Sequence, residues 1–228
     1  HYLDKGFFNH YLFRRLAGQG HLIVDVGYSL APEASFREML AETYRSVAWM
    51  KENAAEYGVD PNRLVLMGGS AGGQLALLAA HAPDEARLRP AGLETDTRVR
   101  GVIAFYAPVD LPSMAGYVDR TYARLTIGRL PPVEKAFTRA WEKLVGKPFY
   151  PPKQWLPNVM GGSPEEKLEE YRLTSPLNHI RPDCPPTLLL QGTQDLAGTQ
   201  PDMQLFARAL RDAGAPVAYV EYLSLIHI

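Results

Sequence analysis

A chain of 228 residues, 46% of them hydrophobic, can bury a large core, and this length is common for a single α/β domain. Its 24 basic residues against 25 acidic ones leave a formal net charge of -1, which gives no electrostatic reason to expect nucleic acid or an anionic membrane as partner. A single cysteine, Cys184, excludes an internal disulfide and disfavours a cysteine-based metal site.

The elements alternate between short apolar runs and longer helical patterns. The first strand is expected over His21–Ser29 (HLIVDVGYS) and the first long helix over Phe36–Tyr57, with Met39, Leu40, Val47 and Met50 on its apolar side. A second strand, Leu64–Gly69, runs into a glycine-flanked serine and an Ala- and Leu-rich helix over Ala71–Ala82. Strands follow at Val99–Ala107 and Pro186–Gln191, then a helix over Gln200–Ala213 closed by Gly214, then a strand at Val217–Tyr222. Strand–helix alternation of this kind predicts one parallel sheet covered by helices. Between the third and fourth strands, residues 111–173 hold many prolines with Trp141 and Trp155 but no run that reads as a central strand. This stretch is expected to be an insertion outside the sheet that acts as a lid over a pocket; a solvated excursion and an oligomer contact are the alternatives.

No apolar stretch approaches the roughly 18 residues that a membrane-spanning helix needs, and the start shows no signal-peptide pattern. The chain begins with His1, so a missing upstream segment could hold either signal, and a cytoplasmic location is an expectation by default only.

The chemistry concentrates at Gly68-Gly69-Ser70-Ala71-Gly72, a G-x-S-x-G pattern with a predicted strand before it and a predicted helix after it. A nucleophilic serine there sits in a tight, strained turn. Neighbours without side chains let strand and helix approach, and the helix N-terminus with the Ala71 amide faces an oxygen that becomes negative. The bland reading, a flexible strand–helix turn, explains the glycines but not the combination with the stretches that follow.

Asp25-Val26-Gly27-Tyr28-Ser29-Leu30-Ala31-Pro32-Glu33, Ser175-Pro176-Leu177 and Pro185-Pro186-Thr187-Leu188-Leu189-Leu190-Gln191-Gly192-Thr193-Gln194-Asp195, together with the elbow, resemble the α/β-hydrolase superfamily, and within it the esterases and lipases similar to hormone-sensitive lipase. The first stretch has two extra residues, and Ser29 stands where those proteins carry arginine. The resemblance implies the α/β-hydrolase fold and carboxylic ester hydrolysis through an acyl-enzyme. It places Ser70 as nucleophile, Asp195 as the triad acid and the Ala71 amide in the oxyanion hole, with no metal or cofactor. A carboxylate just past a parallel strand agrees with the acid role independently, since sites of open α/β sheets collect there. Asp202, the nearest competitor, falls in the first turn of a predicted helix, where acids are common.

The chain order Ser, Asp, His leaves only His227 as base. Its flanks, Leu223-Ser224-Leu225-Ile226-His227-Ile228, differ from those of the resembling esterases and match one reading frame of a common DNA-library adapter. The expectation is therefore that the native sequence stops near Tyr222 and that His227 stands in register by accident. The His-Gly-Gly-Gly segment of the resembling proteins is absent before Asp25; with the foreign-looking tail, the expectation is a single domain over 1–228, truncated at its N-terminus by the first sign and at its C-terminus by the second. His81 and His179 read as helix-end and loop residues, and His1, His10 and His21 match no triad position. The implied substrate is a small uncharged ester. A peptidase of the same fold and a ligand-binding protein that kept the pocket without the triad are the alternatives.

Overall fold

The computed structural model describes residues 10–124, 143, 152–193, 195 and 200–223. Its elements, in chain order, are helix α1 (His10–Gly18), α2 (Phe36–Glu52), strand β1 (Val65–Gly69), α3 (Ala71–His81), β2 (Gly101–Phe105), α4 (Leu111–Arg124), α5 (Pro152–Met160), α6 (Leu168–Leu173), β3 (Thr187–Gly192), α7 (Gln200–Asp212) and β4 (Val217–Tyr222). The four strands form one sheet in the order β1-β2-β3-β4, every pair parallel. Every chain end of a strand therefore points the same way, and the loops that leave them share one edge.

Local sequence explains the helix limits. Ser35 caps α2 and Glu38 returns the bond in a capping box: the Glu38 amide donates to the Ser35 hydroxyl and the Ser35 amide to the Glu38 carboxylate, at 3.3 and 2.7 Å. Expected to run to Tyr57, α2 ends at Glu52, where the Asn53 side chain and amide both donate to the Trp49 carbonyl, at 2.7 and 3.0 Å, and close the last turn. Tyr44, fully buried on the inner face of α2, donates its hydroxyl to the Ala82 carbonyl just past α3 at 2.7 Å. That bond ties the two helices together where α3 stops.

α3 is buried continuously from Gly73 to His81, as a helix apolar on every side must be. One of its faces packs with Met39, Leu40 and Tyr44 of α2, joined by Leu111, Met160 and Tyr171. Its other face, with Ala76, Leu77 and Ala80, meets Val102, Ala104, Leu189 and the Met203, Phe206 and Leu210 stripe of α7. The described parts of 111–173 are helical and contribute Leu111, Ala115, Met160, Tyr171 and Leu173 to the core; Trp141 and the middle of that segment lie outside the described residues. Among the described residues no helix is long and apolar enough to cross a membrane.

The expected strand at His21–Ser29 is not formed. These residues carry no regular structure, and Leu22, Val24 and Val26 are exposed. A strand exists only by pairing, and these residues take part in none of the pairings of the four-stranded sheet. Instead the Ser29 amide and hydroxyl both donate to the Glu42 carboxylate of α2, at 2.6 and 2.7 Å. β-propensity marks a segment that could pair but does not supply its neighbour.

His81, the last residue of α3, is wholly buried. Its Nε2 meets the Thr187 hydroxyl at 2.9 Å, while Nδ1 has no hydrogen-bond partner. Burial, with the charges of Arg181 and His179, pushes this imidazole down to about 3. The unfolded chain then binds a proton that the native state refuses between about pH 3 and the ordinary histidine value near 6.5, so stability falls as pH drops through that window. His81→Gln is expected to flatten the urea-denaturation free energy between pH 6.5 and 4.5, where the parent loses up to about 1.4 kcal/mol per pH unit to this group; equal slopes in parent and variant would show that other groups govern the acid limb.

Candidate active site

Ser70 joins β1 to α3 with φ 53 and ψ -124, a left-handed conformation that a non-glycine residue adopts only when its surroundings force it. The surroundings are visible. The Ser70 amide donates to the Phe105 carbonyl of β2 at 2.9 Å, and the Ser70 carbonyl accepts from the Gln74 amide at 3.1 Å, opening the helix. The Ser70 side chain makes no capping bond to α3, unlike a serine placed merely to start a helix.

The flanking glycines differ in what they do. A Cβ at Gly68 would collide with the carbonyl group of Gly72 and lie 2.7 Å from the Gly73 amide; one at Gly73 would fall 2.9 Å from both the Gly68 carbonyl oxygen and the Ala107 methyl. These two positions are where strand and helix nearly touch. Gly72 has open space around it. Ala71 begins α3, so its N–H is among the helical donors that no carbonyl of the helix can satisfy.

Tyr106, the residue after β2, is the other described non-glycine residue with positive φ, at 41. Its hydroxyl lies 3.0 Å from where a Gly69 Cβ would be, so the phenol covers the last residue of the serine's strand. Burial raises the Tyr106 phenol, and the Asp195 carboxylate raises it further. The Tyr106 amide donates to the Leu190 carbonyl of β3 at 2.8 Å, and the Thr193 amide to the Tyr222 carbonyl of β4 at 2.9 Å. With Ser70 bonded to Phe105, a chain of backbone bonds links all four strand ends along one edge.

Asp195 lies three residues past β3, 8% exposed. Its amide donates to the Gly192 carbonyl at 3.3 Å, and its Oδ2 accepts from the side-chain amide of Gln191 at 2.9 Å. Asp202 serves elsewhere: in the first turn of α7 it accepts from the Ser113 hydroxyl of α4 at 2.9 Å, with its carboxyl raised by burial.

The histidines separate cleanly. His81 sits eleven residues beyond Ser70, about 16 Å along α3 at helical rise, and touches Thr187 at the start of β3, so it belongs to the opposite edge of the sheet. His179 is held by the Leu173 carbonyl at 2.6 Å. His227 lies outside the described residues. Tyr106 and Gln191 were not singled out in the sequence; Gln191 left a trace, an amide ending the apolar run Thr187-Leu188-Leu189-Leu190, whereas nothing in Phe105-Tyr106-Ala107 advertises a strained backbone.

A cleft of about 340 Å³ at the other edge of the sheet, with Lys51, Arg98, Arg100 and Arg181 in its lining, has ion pairs in its wall, of Arg98 with Asp96 and of Arg181 with Asp183. Among the described residues no group of three or more His, Cys, Asp or Glu side chains is placed to hold a metal ion.

A parallel sheet whose first strand ends in a strained serine elbow, followed by a helix, with a buried carboxylate past the next strand but one, is the α/β-hydrolase fold. Thermogutta terrifontis esterase 2, in a structure phosphoramylated by tabun, superposes with a TM-score of 0.62 over 92% of this chain and 64% of that one, at 22% identity. Residues 3–210 match the BD-FAE family model, and the chain belongs to that family. Two Mycobacterium tuberculosis proteins are similar along nearly its whole length: the esterase LipQ, 27% identical over 217 residues, 95% of this chain and 44% of the relative, and the probable carboxylic ester hydrolase LipM, 29% identical over 213 residues, 93% and 43%. The chain thus spans less than half the length of these relatives.

The contrast between the glycines is measurable. Gly68→Ala is expected to destabilise the fold by about 1–3 kcal/mol or more through forced separation of β1 and α3, whereas Gly72→Ala, in an open helical position, is expected to be neutral or to stabilise by up to about 1 kcal/mol. Thermal unfolding of the two variants decides; similar midpoints would mean that the close approach at Gly68 relaxes without strain.

Proposed function

We propose that the protein hydrolyses carboxylic esters by acyl transfer through Ser70. The observation that carries this reading is the serine's strained backbone at the strand–helix junction, for which a plain turn has no need. The esterase names of the relatives and the family membership support it.

In the proposed reaction Ser70 Oγ attacks the ester carbonyl carbon while its proton passes to a histidine at the His227 position. The carbonyl π electrons move to oxygen, and the Ala71 amide at the head of α3 stabilises that negative charge, helped by the positive end of the helix. Collapse of the tetrahedral intermediate breaks the bond to the alcohol oxygen, which takes the proton from the imidazolium and leaves the acyl group on Ser70. Water repeats the sequence to release the acid. Asp195 holds the histidine through one ring nitrogen and stabilises its charged form. No step calls for a metal or cofactor, and the near-neutral chain suits a small uncharged ester. The segment 111–173 is proposed as the wall that shapes the acyl pocket.

Hydrolysis of p-nitrophenyl acetate and butyrate tests the reading, with Ser70→Ala expected to lose at least about a thousandfold in kcat and a fluorophosphonate expected to add once, at Ser70, by peptide mass. His227→Ala is expected to abolish turnover as well if that residue is the base. Turnover that survives Ser70→Ala, or a phosphonate adduct on another residue, would overturn the assignment; labelling of Ser70 without turnover of either ester would move the substrate class toward amides.

A further inference from the structure

We infer that Gln191 positions the acid of this site, its side-chain amide fixing the rotation of the Asp195 carboxylate so that one oxygen is presented to the histidine. The inference rests on the hydrolase reading above.

Gln191 is fully buried and ends a run of apolar strand residues. Along β3 it shares a face with Leu189, which is also fully buried and belongs to the core with α7. A polar amide in that place destabilises the fold unless its donors are used, and an apolar residue would fill the space without that penalty. Both donors are used. One goes to the Gly192 carbonyl at 3.2 Å, and the other to Asp195 Oδ2 at 2.9 Å.

The bond has an effect that packing alone does not. A carboxylate on a short side chain turns readily about its last torsion, whose preferences are broad. An acid that orients histidine must offer one oxygen in a fixed direction. Gripping Oδ2 from the strand beneath, while the Asp195 amide is held by Gly192 at 3.3 Å, leaves the carboxylate one orientation. A neutral amide is well suited to this position. By donating to the acid it favours the ionised form, and unlike lysine or arginine it adds no positive charge to oppose the imidazolium that forms during turnover. Gln191 touches no reacting atom in this scheme and acts only through Asp195.

The test is a double-mutant cycle on ester hydrolysis with Gln191→Met, which keeps length and removes the donor, and Asp195→Asn. Gln191→Met is expected to lower kcat roughly tenfold to a hundredfold with KM within about twofold. The acid limb of the kcat/KM profile is expected at lower pH, because an imidazolium facing a misaligned carboxylate loses its proton more readily. On the Asp195→Asn background the same substitution is expected to cost nothing further. Gln191→Leu, apolar and without a donor, provides a second variant should the methionine protein not fold; it is expected to lose kcat likewise, with the acid limb moved to lower pH in the same way. Full losses that add across the cycle, or folded variants with parental kcat and profile, would overturn the role of Gln191. Asp195→Asn with parental activity while Ser70→Ala is dead would instead overturn the acid assignment itself.

Discussion

The approach of α3 to β1 is the constraint on which the site depends. Gly68 and Gly73 let the two backbones come so near that neither position has room for a methyl group. The turn between them must then be completed in very few residues, and Ser70 takes up the strain as a left-handed backbone. Strain of this kind persists only where the neighbours determine it from several sides. Here α3 is buried over its whole length from Gly73, clasped by α2 on one flank and by the sheet and α7 on the other. The core thus does more than hold the molecule together: it prevents the elbow from relaxing.

The same edge is stiffened laterally. Ser70 bonds to β2, Tyr106 to β3 and Thr193 to β4 through backbone groups, so residues far apart in sequence sit on one continuous hydrogen-bonded rim. Backbone pairing of this sort fixes the strand ends relative to one another even though the rim is only partly buried. Gln191 and Asp195 extend the rim from backbone into side chains. On the opposite edge the polar groups serve cohesion, with His81 neutral beneath Thr187 and ion pairs spanning the loops.

The alternation of strand and helix and the elbow around Ser70 were legible because each is written in local signals: apolar period, glycines at fixed offsets, a serine between them. The limits of α2 were less so, since it ends at Asn53, whose side chain and amide cap the Trp49 carbonyl, while the apolar pattern beyond is still favourable. His21–Ser29 misled for a different reason. Its valines and isoleucine describe an ability to pair, and pairing is a property of two segments. Tyr106 and Gln191 were invisible as site residues because their importance arises only when β1, β2 and β3 lie side by side, some of those residues being more than 80 positions apart in the chain. The histidine illustrates the converse: chain order alone pointed to His227, and the described histidines His81 and His179 are engaged elsewhere.

The left-handed backbone at position 70 also limits which chemistry this scaffold could ever host there. A side chain with a single substituent on Cβ fits beside the crowded turn, but a β-branched one at positive φ does not. Cysteine would therefore enter where threonine would not, although threonine shares the hydroxyl. Among the short nucleophilic side chains, the proposed serine could thus give way to cysteine or aspartate but not to threonine before reactivity is considered at all: the main chain, through its torsion angle, narrows the alphabet from which a reacting atom can be drawn.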